Sequence, residues 1–95
     1  MKRARYAVFF FLVSCILFSA CTTDPGLYAT HFFDEGVVWY QKGQYDQSVD
    51  AFSNSLKMNS EGRETYVVYY NRGLAHFRND DYNKAIDDFT ISIQL

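Results

Sequence analysis

The sequence predicts an all-α fold, an α-solenoid of two tandem helix–turn–helix repeats in which the second repeat is truncated. The segment YDQSVDAF at residues 45–52 returns 37 residues later as YNKAIDDF at residues 82–89. Apolar residues in both segments, and in the segments that precede them, recur every three or four positions, which is the period of an amphipathic helix. A repeat of this length is typical of stacked helical units that share one core.

Each repeat is predicted to contain two helices, which are identified by their apolar stripes. The stripes contain Tyr28, Phe32, Trp39 and Tyr40 in the first helix, Tyr45, Val49, Phe52 and Leu56 in the second, Tyr66, Tyr69, Tyr70, Leu74 and Phe77 in the third, and Tyr82, Ile86, Phe89 and Ile93 in the fourth. Gly43 suits the left-handed residue that ends a helix, and residues 79–81, NDD, provide turn formers at the equivalent place. The fourth stripe has the pattern of an internal helix, so we expect it to lack a cover within this chain.

The first 20 residues are predicted to form a secretory signal peptide. Basic residues precede position 6, and no charged residue occurs from position 6 to position 20. This apolar run is shorter than the roughly 20 residues of a membrane span, and small residues follow it, as in a cleaved leader. An uncleaved anchor helix is the alternative.

Residues 18–21, FSAC, resemble the lipobox of bacterial lipoproteins. The resemblance implies cleavage before Cys21 and attachment of lipid to its thiol, and two or more acyl chains would anchor the mature chain to a membrane of the cell envelope. Residues 12–15, LVSC, fit the same pattern, but lipidation at Cys15 would leave too short an apolar run before it. Thr22 after the cysteine implies the outer membrane if the organism has two membranes.

The mature chain would be acidic. Removing the three basic residues of the leader from the 9 in the whole chain leaves six against 11 acidic residues, a net charge of −5. Nucleic-acid binding needs a basic surface, so this charge argues against a nucleic-acid partner.

Residues 69–89, YYNRGLAHFRNDDYNKAIDDF, contain an aromatic, a glycine, an alanine and a phenylalanine at the spacing of a known repeat pattern. These residues are Tyr69, Gly73, Ala85 and Phe89; the first unit matches through Phe32, Gly36, Trp39 and Phe52, with Ser48 in place of the alanine. Both units resemble the tetratricopeptide repeat, a 34-residue helix pair. In each unit the glycine precedes the small residue of the second helix by 12 positions, which predicts close helix packing there.

The predicted organisation is a signal peptide at 1–20, a tether at 21–28, a first repeat at 29–62, a loop insertion at 63–65 and an incomplete second repeat at 66–95. Glu35 and Arg72 depart from the family pattern because each stands where leucine is usual, and Ser60 replaces the closing proline. A generic pair of αα-hairpins is the alternative fold.

No catalytic residue, cofactor or metal site is predicted. The sequence has no C-x-x-C, H-E-x-x-H, G-x-S-x-G or P-loop motif. His76 replaces a repeat aromatic and is expected to pack in the core, whereas His31 is expected at the surface. The acidic residues of DDY at 80–82 and DDF at 87–89 lack the spacing of a calcium loop, and we expect them at a helix start and on a solvated face.

The family resemblance implies a concave groove lined by the first helix of each repeat, which holds an extended peptide or a helix of a partner protein. We call this surface the predicted groove. It comprises Phe33, Asp34, Val37, Tyr40 and Gln41 from the first repeat and Tyr70, Asn71, Leu74, Phe77 and Arg78 from the second. Tyrosine and phenylalanine suit such a surface because they offer large contact area at a low entropy cost.

The predicted function is protein–protein interaction by a lipid-anchored module of the bacterial cell envelope. One alternative is a structural subunit that completes its solenoid by self-association, so a homo-oligomer is possible. Another is that the chain is the N-terminal part of a longer tetratricopeptide protein.

Overall fold

The structure is a computed structural model that describes residues 24–60 and 64–95 of the chain. These residues form four helices: α1, Pro25–Gln41; α2, Tyr45–Met58; α3, Thr65–Arg78; and α4, Tyr82–Gln94. Each helix packs against the next one along the chain, and α1 also contacts α3. The predicted all-α architecture of two helix pairs is therefore confirmed. The leader, Cys15, Cys21 and Thr22 lie outside the described residues.

Helix α1 begins four positions before residue 29, where the first repeat was predicted to start. The Asp24 side chain accepts a hydrogen bond from the Gly26 amide at 3.0 Å, and Pro25 occupies the first helical position. An aspartate cap followed by proline is a favourable helix start, because proline has no amide hydrogen to leave unpaired. Residues 25–28, which the sequence assigned to the tether, are therefore helical.

The turns inside the two repeats have the same backbone structure. Gly43 and Asp80, which are 37 positions apart, adopt left-handed conformations with φ of 77° and 61°. The following amides also match, because Gln44 N–H donates to Trp39 O at 2.9 Å and Asp81 N–H donates to His76 O at 2.8 Å. Helices α1 and α3 therefore both end in a Schellman-type motif. The predicted roles of Gly43 and of the NDD turn are confirmed.

Each helix pair closes around one glycine and one phenylalanine. A Cβ atom added to Gly36 would lie 2.6 Å from the Phe52 ring, and one added to Gly73 would lie 2.8 Å from the Phe89 ring. These are distances at which only a hydrogen fits, so the paired helices approach closely at the two glycines as the sequence predicted.

Serine hydroxyls on the second helix of each pair also donate hydrogen bonds to backbone carbonyls of the first helix. Ser48 Oγ donates to Gly36 O at 2.7 Å, and Ser55 Oγ donates to Ala29 O at 2.7 Å. In the second repeat Ser92 Oγ donates to Tyr66 O at 2.8 Å, and these two residues are the 37-residue counterparts of Ser55 and Ala29. The hydrogen bond from Ser55 in the first repeat therefore recurs at the equivalent position of the second repeat.

The two second helices differ sharply in burial because only α2 is covered. On α2, Phe52 is 1% exposed and Leu56 is 7% exposed, whereas on α4 Ile86 is 60% and Ile93 is 86% exposed. Phe89 is half-buried because α3 covers one side of it. The expectation that the fourth stripe lacks a cover within this chain is confirmed for the described residues.

Candidate functional site

The predicted groove residues lie on α1 and α3, the first helix of each repeat, and these two helices are in contact. The exposed members are Asp34, Gln41, Tyr70, Phe77 and Arg78, and the half-buried members are Phe33, Val37, Tyr40, Asn71 and Leu74. None of the ten is fully buried, so each of them has some surface that a partner could contact. Whether this surface binds a partner stays a prediction.

Buried and half-buried phenylalanines hold two rings of the predicted groove in defined positions. Phe33 packs against Phe52 with ring centroids 5.6 Å apart, and Tyr70 packs against Phe89 in the same way at 5.7 Å. Each of these two groove rings therefore packs on the phenylalanine that fills its own helix pair. A ring that is already fixed loses little conformational entropy when a partner covers its free face.

A second pair of aromatic contacts lies at the carboxyl ends of α1 and α3. Tyr40 meets Tyr45 edge-on with ring centroids 5.4 Å apart, and Phe77 meets Tyr82 in the same geometry at the same distance. Arg78 Nε donates to the Tyr40 hydroxyl at 3.3 Å and so joins the two repeats across the groove. This end therefore combines aromatic surface with one exposed cation.

An open cavity of about 310 Å³ lies beside Phe33, which is the one predicted groove residue among those that line it. It lies between the start of α1, the end of α2 and the start of α3, and Phe33, Ser55 and Val67 are among its lining residues. Thr30 also lines the cavity. Sequence reasoning did not include Thr30 and Val67 in the groove, although their positions, three before Phe33 and Tyr70, could have indicated them.

Asn71 is held against its own helix. Its Nδ2 donates to the Val67 carbonyl oxygen, one turn earlier, at 2.8 Å. One amide hydrogen is therefore already used inside the chain, and the side-chain oxygen is the part of Asn71 best placed to accept a bond from a ligand.

Beneath the groove, Arg72 and Asp88 form a bidentate ion pair. Arg72 Nε and Nη2 donate to the two carboxylate oxygens of Asp88, each at 2.7 Å, and Arg72 Nη1 reaches Ser53 Oγ at 3.2 Å. The Asp88 side chain is 4% exposed. The hydrogen bond to Asp88 raises the pKa of Arg72 above its usual value.

The expectation of solvated acids at residues 87–89 is therefore wrong for Asp88 and holds for Asp87, which is exposed. A buried carboxylate requires a partner, and Arg72 provides it from the position where the family has leucine. The pair is structural, and it binds α3 to α4 while the Ser53 contact binds α3 to α2.

His76 borders this ion pair, with its Nε2 atom 3.7 Å from Asp88 Oδ2. It is buried as predicted, and burial lowers its pKa below the usual value of 6.5. A neutral imidazole that fills a core position is consistent with packing. His31 lies at the surface, also as predicted, with its Nε2 atom 3.6 Å from Glu35.

Within residues 24–60 and 64–95, no three His, Cys, Asp or Glu side chains come together in a group that could hold a metal ion. In the same part of the chain, none of the helices has the length and apolarity needed to cross a membrane.

Two known proteins are similar to this chain. Protein unc-45 homolog B of Xenopus tropicalis is 27% identical over 62 residues, which cover 65% of this chain and 7% of that protein. Photosystem I assembly protein Ycf3 of Rippkaea orientalis (strain PCC 8801 / RF-1) is 25% identical over 64 residues, which cover 67% of this chain and 37% of that protein. No protein-family model matches the chain, and no solved structure matches it.

Both similar proteins contain tetratricopeptide repeats, and the similarity is weak. Together with the four-helix fold, it fits a tetratricopeptide-like repeat protein. The chain spans less than two fifths of the length of either relative.

Proposed function

We propose that the chain is a protein-interaction module that holds a peptide or a helix of a partner protein in the predicted groove. The observation that supports it is the aromatic surface that the two packed helix pairs leave open. Tyr70 is 50% and Phe77 52% exposed, although each ring already has a neighbour in its own repeat. Exposed aromatic surface with polar groups at its edge is typical of binding sites.

The partner segment should be mostly apolar, with an acidic group near one end. Val37, Leu74 and the rings contribute apolar surface along the groove, and Arg78 contributes an exposed cation beside Tyr40. Asp34 adds an exposed anion on the α1 side. The relative from Rippkaea orientalis is named an assembly protein, which supports action by binding and not by catalysis.

The second part of the proposal is the anchor. The chain would be a lipoprotein of the bacterial cell envelope, attached through lipid on Cys21 and facing its partner from the membrane surface, with the outer membrane favoured where there are two. The support is the FSAC sequence after an apolar leader. An assembly subunit, or the first part of a longer repeat protein, remains the competing role.

Substitution of Tyr70 by alanine together with Arg78 by glutamate is expected to abolish partner capture, because it removes half of the exposed aromatic pair and reverses the cation. The measurement is chemical crosslinking of the full chain to other envelope proteins, compared between wild type and variant. The matched control is Gln47→Ala with Lys57→Glu, which likewise combines a truncation to alanine with a charge reversal, at exposed positions of α2. Capture that survives in a folded Tyr70/Arg78 variant would show that the groove assignment is wrong.

Mass spectrometry of the protein purified from a bacterial host is expected to show a mature chain that begins at a diacylated Cys21. The physical reason is that the lipid, and not the leader, would then provide the stable membrane anchor. A chain beginning at Cys15 would move the attachment site, and an intact Met1 would refute the lipoprotein proposal. Cys21→Ser is the control, because it removes the thiol and should leave the leader uncut.

A further inference from the structure

The main contact between the two repeats is that of α2 with α3, which we call the repeat joint. On α2, the residues Asp46, Val49, Ser53 and Leu56 recur at steps of three and four and so lie on one stripe. Asp46 accepts a bond from Asn79 at 2.7 Å and Ser53 one from Arg72 at 3.2 Å, which places this stripe against α3.

The α3 side of the repeat joint is a stripe of the same kind. It contains Thr65, Val68, Arg72, Ala75 and Asn79, again at steps of three and four. Thr65 is 6% and Ala75 0% exposed. The joint is therefore a closely packed contact between two stripes, with a polar bond at each of two levels.

The chain carries both halves of this joint a second time, and both are uncovered. The α4 stripe, 37 positions after that of α2, contains Asn83, Ile86, Thr90 and Ile93. The α1 stripe, 37 positions before that of α3, contains Tyr28, His31, Glu35, Val38 and Lys42. Every one of these nine residues is exposed in the described structure.

We propose that the α4 stripe of one copy binds the α1 stripe of a second copy, in the geometry of the repeat joint. The intramolecular joint is the direct argument, because it shows how a second helix of this chain accepts a first helix. The exposure of these positions depends on whether a helix covers them, because Leu56 is 7% exposed in the repeat joint and its counterpart Ile93 is 86% exposed. This proposal concerns the ends of the solenoid and does not rest on the groove.

The two levels that hold polar bonds in the repeat joint are complementary in the free stripes as well. Lys42 is the counterpart of Asn79, and Asn83 is the counterpart of Asp46. In the contact between two copies, Lys42 would therefore face Asn83, and its ammonium group would donate a hydrogen bond to the amide oxygen. Glu35 faces Thr90 where Arg72 now faces Ser53. The Thr90 hydroxyl, which donates to the Ile86 carbonyl at 2.7 Å, would turn its hydrogen to the carboxylate. Neither level brings like charges together.

Because the two stripes differ, the contact is heterologous, and each added copy leaves one α1 stripe and one α4 stripe free. Association should therefore continue past a dimer. For the full chain in a mild non-ionic detergent, we expect the mass measured by light scattering to rise steadily between about 1 and 100 μM, a span chosen around micromolar affinity.

The decisive test uses two variants that each block one stripe. Val38→Glu blocks the α1 stripe and Ile93→Glu blocks the α4 stripe, and each should weaken self-association at least about tenfold, as expected for a charge in an interface centre. Mixing the two should restore one intact joint and give a 1:1 dimer that does not grow. Gln47→Glu, which adds the same charge at an exposed α2 position, should associate like wild type.

Circular dichroism should show that all three variants keep wild-type helix content, since the replaced side chains are exposed. A wild-type chain that stays monomeric throughout the range overturns the proposal and leaves the α4 stripe to a different protein. Variants that associate like wild type overturn it too, because contacts of the leader or another face would then drive assembly. A mixture of the Val38→Glu and Ile93→Glu variants that forms no dimer also overturns the proposal.

Discussion

Replacing Arg72 with leucine is expected to lower the free energy of unfolding by about 3 kcal/mol, the low end of the cost of breaking a buried ion pair. The substitution installs the residue that the family has at this position, so a simple comparison with the family would predict stabilisation. The structure predicts the opposite because Asp88, with a side chain only 4% exposed, would lose both of its bonds to Arg72. The variant also loses the bond to Ser53.

The reverse substitution should be milder. Asp88→Ala leaves a guanidinium whose side chain is already 21% exposed and can extend into water. It also gives the second repeat the residue that the first repeat has, Ala51. We expect a loss of about 1–2 kcal/mol, in the range of an unmade hydrogen bond to a charged group.

The double variant Arg72→Leu with Asp88→Ala should recover most of the loss, because an apolar pair replaces a buried ion pair at little net cost. Urea denaturation of the full chain, followed by circular dichroism, gives the four free energies of a double-mutant cycle. Asp50→Leu is the matched control, because it also replaces a charged residue with leucine, at an exposed α2 position outside the groove and the stripes, and it should change stability by less than about 0.5 kcal/mol. If the free-energy losses of the two single variants simply add in the double variant, the predicted coupling between Arg72 and Asp88 is wrong.

The sequence predicted this fold well where one repeat could be compared with the other. Gly43 and the NDD turn occupy equivalent positions, and both hold a left-handed residue. The spacing from Gly36 to Ser48 predicted close packing, and the structure adds a bond between these two residues. Such features depend on local backbone geometry and on side-chain size, which the sequence shows directly.

Prediction failed where an interaction joined residues distant in sequence. Asp88 was assigned to a solvated face because acidic residues are usually exposed and its neighbour Asp87 has the same charge. The signal was a pair of departures in one repeat, with Arg72 in place of leucine and Asp88 in place of the Ala51 equivalent. Each departure alone is uninformative, because only the packing of α3 on α4 brings the two charges together.

The groove could be predicted only as a set of positions. The family resemblance implied which positions line a groove, and it assigned Tyr70 and Phe77 to that surface. It could not show that Asn71 bonds to its own helix, or that a cavity opens beside Val67. These details depend on side-chain rotamers and on the angle between helices, which the resemblance alone does not determine.

Replacing Gly36 with alanine is expected to destabilise the protein by about 2 kcal/mol, within the range for overpacking a core. Alanine favours a helix over glycine by about 1 kcal/mol. A decrease in the free energy of unfolding would therefore have to come from packing. The added Cβ would lie 2.6 Å from two atoms of the Phe52 ring, and this ring is 1% exposed with no room to retreat. Helices α1 and α2 would have to separate, which would also stretch the 2.7 Å bond from Ser48 to the Gly36 carbonyl.

The equivalent change in the second repeat provides the comparison. Gly73→Ala brings a Cβ within 2.8 Å of the Phe89 ring, but this ring is only half-buried because nothing covers α4 in the described structure. We expect a cost of less than about 1 kcal/mol, since the ring can move outward and the gain in helix propensity offsets the strain. A second substitution, Phe52→Leu, should relieve most of the Gly36→Ala cost and give a favourable coupling energy in urea denaturation. Equal effects at the two glycines would mean that burial of the facing ring does not control the closeness of the helix pair.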